Sequence, residues 1–271
     1  MKRFSLFLTT GVLSCLAFTP LANAQEHSHP ANDEKPWSMA DEYFDPEEMA
    51  HTRTHVLHHN GGQSFGMLMV DRLEVQSGED EDVGVWDASY RYGGDIDKLY
   101  ITTEGEYSLE HDEFEEVEMQ ALWSHAVSRF FDVQTGVRYD FEPDGLAHAV
   151  FGFQGLAPYW FEVDGAAYLS EKGDVTADFE AEYELLLTQR LILQPRLEVG
   201  ISAQDIPELE VASGITDIEA GLRLRYEFKR EIAPYIGIEH KALIGETANI
   251  AEAHGEEANS TFFVLGVRGW F

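Results

Sequence analysis

The chain has 271 residues, with 50 acidic side chains against 18 basic ones and a formal charge of −32. That surplus repels phosphate backbones, which excludes nucleic acid as a partner, and it favours the collection of cations. The one cysteine, Cys15, lies near the start, so once that segment is removed no disulfide or thiolate metal site can form.

Met1-Lys2-Arg3 is a short basic start, Phe4 to Leu21 is largely apolar, and Ala22-Asn23-Ala24 supplies small residues around a cleavage position. Residues 1–24 are therefore expected to be a cleaved signal peptide, and the mature chain to carry about −34. Gly11 and Pro20 interrupt the apolar stretch, which is too short for a membrane helix. A lipid anchor on Cys15 fits poorly: Ser14 is small, but Val12 and Leu13 sit out of register. No later segment has the roughly 18 apolar residues of a spanning helix, so a place in the membrane requires a closed barrel.

Residues 25–62 form a leader with little strand pattern and six of the eleven histidines. Its first part, Gln25 to Trp37, is polar, proline-punctuated and expected to be disordered; it carries His27 and His29. A helix is predicted over about 46–59. Asp45 is the cap, Pro46 takes the first helical position, Glu47 and Glu48 fill the first turn, and Asn60-Gly61-Gly62 is the stop. His51, His55, His58 and His59 then share one face, bordered by Glu47 and Glu48, with Met49 on the opposite side. Histidines one turn apart can chelate one ion between them, with a glutamate adding oxygen. The plainer alternative is a solvated helix that binds nothing.

From residue 63 the period becomes two. Twelve strands are predicted: 64–76, 82–92, 97–109, 115–126, 129–141, 146–155, 158–169, 174–186, 189–203, 214–229, 232–245 and 259–271. Tight turns such as Gly93-Gly94-Asp95 alternate with longer connections at 204–213 and 245–259, as expected of an all-β transmembrane antiparallel β-barrel. An even strand count puts both ends of the barrel on the periplasmic side, and Phe271 supplies the terminal aromatic of an outer-membrane strand.

One face of each strand is apolar and the other charged. In 174–186, Val175, Ala177, Phe179, Ala181 and Tyr183 oppose Asp178, Glu180, Glu182 and Glu184. A soluble barrel would bury the apolar face. A membrane barrel turns it to lipid and keeps the charges in the lumen. The lumen is then expected to hold Glu104, Glu106, Glu118, Glu162, Asp164, Asp178, Glu180, Glu182, Glu198, Glu219, Glu227 and Glu239, against Arg138, Arg196, Arg223, Arg225 and Arg268. Cross-strand Arg–carboxylate pairing makes either a structural ionic plug or, where acids remain in surplus, a path for cations. Met67 and Met69 share a face of the first strand, where they either pack against lipid or core or offer thioethers to the lumen.

Asp95-Ile-Asp-Lys-Leu-Tyr-Ile-Thr-Thr-Glu-Gly-Glu106, Val133-Gln-Thr-Gly-Val-Arg-Tyr-Asp140, Gly155-Leu-Ala-Pro-Tyr-Trp-Phe-Glu-Val-Asp164, the run from Glu180 to Glu198 and that from Gly221 to Gly237 resemble the copper-resistance protein B family. The likeness spans the barrel and the approach from Tyr43 to Met49. It implies an outer-membrane barrel acting in copper binding or export, embedded in outer-membrane lipids and working beside periplasmic copper-resistance proteins such as a multicopper oxidase or a copper chaperone. Many members carry a leader rich in methionine and histidine. Here histidine dominates and Met39 and Met49 are the leader's methionines, which shifts the expected ion from Cu(I) towards Cu(II), with Cu(I) still open.

Three functional classes follow: a copper-handling barrel that sequesters or exports periplasmic copper, a narrow cation-selective or general small-solute porin, and a barrel enzyme. Catalysis is disfavoured, because Ser124 and His125 are adjacent on a strand and point to opposite faces.

Overall fold

A computed structural model describes residues 36–271 apart from Gly62, Asp80, Asp144 and Glu256. The predicted signal peptide, His27 and His29 lie outside the described residues. The chain divides into two compact units between Val56 and Leu57.

A 3-10 helix (Pro36–Glu42) precedes α1 (Pro46–Asn60). Asp45 Oδ1 accepts the backbone N–H groups of Glu47 (2.9 Å) and Glu48 (3.1 Å), satisfying two donors that the first helical turn leaves unpaired. Gly61 N–H closes the other end on the Leu57 carbonyl at 3.0 Å. Arg53 pairs with Asp41. No residue of α1 is buried, so capping and local bonds, rather than packing, carry this helix. Asp45→Ala should cost about 1 kcal/mol of helix stability and lower the helical circular dichroism of the leader.

The strands are β1 (Phe65–Ser77), β2 (Asp82–Gly93), β3 (Asp97–Ser108), β4 (Glu113–Ala126), β5 (Phe131–Glu142), β6 (Leu146–Ala157), β7 (Phe161–Ser170), β8 (Val175–Glu182), β9 (Leu185–Leu186), β10 (Leu191–Ser202), β11 (Gly214–Tyr226), β12 (Ile232–Leu243) and β13 (Asn259–Trp270). Apart from β8 and β9, which do not pair with each other, sequence neighbours pair antiparallel, and β1 pairs with β13, so the sheet closes. Phe271 completes the seam through two backbone bonds with Leu68, at 2.8 and 2.9 Å. β8 and β9 both pair with β10 and together make one interrupted strand, which gives a twelve-stranded barrel.

The interruption has a chemical cause. Pro195 on β10 accepts the Tyr183 N–H (3.2 Å) but has no N–H to return, so the ladder lapses there and Glu184 leaves the strand path. A bulge at Asp71 has another consequence. Val70 faces Ala88 while Arg72 faces Asp87, leaving Asp71 as the extra residue of β1. The alternation shifts phase there, so Met67, Met69 and Asp71 face inward before the bulge, and Arg72, Glu74 and Gln76 after it.

The outer surface is apolar and the inner one charged. Along β13, Phe263 (71% exposed) and Leu265 (65%) alternate with Val264 (3%), while Arg196 (5%), Arg223 (4%) and Glu74 (4%) are buried inside the barrel. This inversion of a soluble protein's layout marks a transmembrane barrel. No helix of the described residues is long and apolar enough to span a membrane.

Both ends of the barrel lie at one rim, here the near rim, with the turns at 94–96, 127–130, 158–160, 187–190 and 227–231. The far rim carries the two long connections, 203–213 and 244–258. The sequence pattern leaves the second of these as a loop, but it contains α2 (Gly245–His254), ended by Gly255 in the left-handed region (φ 92°). Residues 158–160 form a 3-10 turn rather than the start of a strand, and β11 stops at Tyr226.

Candidate functional site

The inward side chains form one continuous ionic cluster. Arg196, on β10, meets Glu180 (2.5 Å) and Glu198 through one guanidinium nitrogen, and Glu219 (3.2 Å) and Glu239 (3.3 Å) through another. Arg223 grips Glu74 with two parallel bonds (3.1 and 2.8 Å) and touches Glu239 at 2.9 Å. Tyr235 donates to Glu74 at 2.6 Å and Gln76 donates to it at 2.9 Å, so this buried carboxylate is fully bonded. Arg138 holds Glu118 and Asp140, both at 2.6 Å, and stacks over the Tyr168 ring at 4.9 Å. Lys241 bonds to Glu106 and approaches Glu219 at 3.6 Å.

Two glycines make room. A Cβ on Gly221 would lie 2.4 Å from a Glu239 oxygen and 2.7 Å from Arg223, and one on Gly266 would meet the Tyr235 ring and the Glu74 stem at 2.5–2.6 Å. Gly221→Ala should therefore displace the Arg223–Glu239 pair and cost about 1–3 kcal/mol in urea unfolding of the refolded barrel.

Register brings like charges together. Asp164, Glu180, Glu198 and Glu219 stand directly opposite one another across β7, β8, β10 and β11. Asp87, Glu104, Glu118 and Asp140 do the same across β2 to β5. Opposed carboxylates repel, and each row persists through the arginines laid across it. Arg196 bridges three members of the first row, and Arg72 and Arg138 serve the second. Asp164 makes no ion pair among the described residues.

A cavity of about 660 Å³ runs along this cluster, lined by fourteen carboxylate and seven guanidinium side chains. Its lining reaches Arg129 and Phe130, turn residues of the near rim, and includes no described residue of the far-rim loops. On the far side the 203–213 loop folds inward. Ile206, Glu208 and Leu209 line a second space of about 100 Å³ with Arg138, His148 and Tyr168. Gln204 donates to Asp174 (3.0 Å), and Ala212 N–H donates to Thr247 of α2 (3.1 Å). The Ser213 backbone and side chain hold the Asp205 carboxyl below its usual range, so this loop is pinned at its neck. The space is a cup open toward the near rim.

Of the lumen residues expected from the alternation, Glu104, Glu106, Glu118, Glu162, Asp164, Asp178, Glu180, Glu182, Glu198, Glu219, Arg138, Arg196, Arg223 and Arg268 line the cup. Glu239 is sealed between Arg196 and Arg223. Arg225 lies buried outside the lining, bonded to Gln194 (2.7 Å) and Glu184 (2.5 Å). Glu227 is a correction: it follows the end of β11, in a rim turn, because the strand stops at Tyr226. Asp71, Arg72, Glu74 and Asp87 were not expected inside. The signal for the first three was the two residues between outward Val70 and Leu73, where a regular strand would leave one.

Met67 and Met69 line the cup on β1, one above the other, with Asp71 next along the same face. His51, His55, His58 and His59 are exposed on α1, and the His58 and His59 rings meet edge-to-face at 5.0 Å. Glu47 and Glu48 lie exposed in its first turn, and Met49 is half-buried.

A family model described as Copper resistance protein B precursor (CopB) matches residues 64–271. The chain belongs to the copper resistance protein B family. It is 41% identical over 206 residues to Copper resistance protein B of Escherichia coli, covering 76% of this chain and 69% of that one. It is 39% identical over 218 residues to the Copper resistance protein B homolog of Pseudomonas syringae pv. tomato (strain ATCC BAA-871 / DC3000), covering 80% and 73%. Among solved structures, the NanC porin shares the fold, with a TM-score of 0.50 at 11% identity over 75% of this chain and 98% of that one. The chain is thus a copper-resistance barrel of the outer-membrane kind. The family, described by copper resistance, points away from an enzyme. The cup offers thioether sulfur and carboxylate oxygen, and α1 offers imidazole nitrogen; these are the donor types that copper takes in its two oxidation states.

Proposed function

We propose that this protein captures periplasmic copper on its leader and sequesters it in the cup, from which it is exported when the far rim opens. The observation that carries this reading is the cup itself: open at the rim where the chain enters the barrel, acidic in surplus, and bearing Met67 and Met69 beside Asp71. In this reading the long connections face outward, as they do in outer-membrane barrels, and the near rim and the leader face the periplasm. Imidazoles of His51, His55, His58 and His59, with oxygen from Glu47 or Glu48, take Cu(II); His27 and His29 add weaker ligands. The thioethers of the cup take Cu(I). A periplasmic multicopper oxidase or copper chaperone would supply or receive the ion.

A copper titration of the full-length mature protein tests the leader. Changing His51, His55, His58 and His59 to alanine should lower Cu(II) affinity at least about tenfold, roughly 1.4 kcal/mol, and leave Cu(I) binding in place. Unchanged Cu(II) affinity would remove the leader from the account. The cation-selective or small-solute porin is the second reading, favoured by the acidic surplus and opposed by the inward-folded far-rim loop. In proteoliposomes it requires steady flux of ions other than copper, whereas the closed cup should pass almost none.

A further inference from the structure

We propose that Glu81, His111 and Glu115 form a further metal site, on the far rim, suited to a divalent borderline cation such as Cu(II). It rests on the copper reading only for the choice of ion. One imidazole nitrogen and one oxygen of each carboxylate lie within 4.8 Å of one another, close enough for small side-chain movements to close them around an ion. The three residues come from separate segments, the β1–β2 connection, the β3–β4 connection and the start of β4, and strand pairing alone brings them together.

The surroundings have the features of a built site. Glu106 faces Glu116 while Tyr107 faces Phe114, so Glu115 is the extra residue of a bulge, a device that re-aims a side chain at a barrel rim. Ser108, fully buried, donates its hydroxyl to Glu81 at 2.7 Å and lies 3.2 Å from His111 Nδ1. The Ser108 hydroxyl thus orients the Glu81 carboxylate, as outer partners of metal-bound carboxylates do, and lies against the imidazole nitrogen that faces Glu81 at 3.9 Å. Both turns are pinned: Gly78 N–H donates to the Glu81 carbonyl (2.9 Å), and Leu109 N–H to that of Asp82 (2.9 Å). Tyr107 donates to Asp112 and fastens the second turn further. Lys241 is held by Glu106 and Glu219 and makes no ion pair with Glu81 or Glu115 among the described residues. A mixed nitrogen and oxygen set favours Cu(II) among divalent ions, whereas Ca(II) and Mg(II) seek oxygen alone. Copper leaving the cup past the far rim would meet this site on the external side.

Full-length mature protein in detergent would be titrated with Cu(II) by calorimetry and followed by electron paramagnetic resonance. The variants are His111→Ala, the pair Glu81→Gln with Glu115→Gln, and Ser108→Ala, each with the native leader and with the four helix histidines changed to alanine. Heat-dependent gel migration reports whether each variant keeps its barrel. The expected result is that His111→Ala removes one Cu(II) equivalent and its nitrogen coupling in both leader backgrounds. Ser108→Ala should weaken that equivalent by about 10–100-fold. If the leader reading fails, the four-histidine change will leave the stoichiometry intact while His111→Ala still lowers it. The proposal is overturned if a folded His111→Ala variant keeps the stoichiometry, affinity and spectrum of the parent. It is equally overturned if Ca(II) at equal concentration displaces this copper equivalent from the parent, because calcium seeks oxygen ligands alone.

Discussion

Replacing Arg196 with alanine is expected to destabilise the barrel by about 3–5 kcal/mol, the usual cost of removing one partner from a buried charge network. Arg196 is 5% exposed and lies within 4.0 Å of Glu180, Glu182, Glu198, Glu219 and Glu239. Without it, Glu180, Glu198 and Glu219 oppose one another across three strands, with Lys241 beside the last of them and Arg72 farther off. Urea unfolding followed by tryptophan fluorescence measures the loss. Arg129→Ala, which removes an exposed arginine at the near rim, is the control and should stay within about 0.5 kcal/mol. Adding Glu198→Gln and Glu219→Gln to Arg196→Ala should return most of the stability, since the uncompensated charges go with their partner. Equal losses in the single and triple variants would mean that Arg196 acts by packing rather than by charge.

The second large effect is on copper. Changing Met67 and Met69 to leucine keeps volume and apolar character, so barrel stability should move by less than about 1.5 kcal/mol. Cu(I) affinity should nevertheless fall by about tenfold or more for each thioether lost, about 1.4 kcal/mol apiece. Competition with a Cu(I) chelator reads this directly on the full-length protein. Cu(II) binding by the leader should not change, because leucine removes no imidazole. A uniform fall in both oxidation states would instead point to a distorted barrel.

The strands and their faces were legible because lipid outside and charge inside leave a period of two wherever the ladder is regular. It failed where backbone chemistry breaks that regularity. At Asp71 the bulge turned Arg72 inward, and the phase slip between Val70 and Leu73 was its only trace. At Pro195 a missing N–H on one strand interrupted the partner strand, an effect that no pattern within residues 174–186 reveals. α2 was hidden because a ten-residue helix inside a rim connection needs only one side packed, through Thr247 and Ala251. The cup's acidity could be read strand by strand, but the opposition of Asp164, Glu180, Glu198 and Glu219 is a property of register. The far-rim histidine escaped for the same reason. His111 is an isolated turn residue in the sequence, and pairing of β1 to β4 brings it to Glu81 and Glu115.

Diffraction at the copper absorption edge, from crystals of the full-length mature protein loaded with Cu(I), tests the central claim most directly. The account predicts an anomalous peak inside the cup between Met67, Met69 and Asp71, absent when both methionines are leucine. Copper found only outside the barrel, with an empty cup at saturating Cu(I), would contradict it.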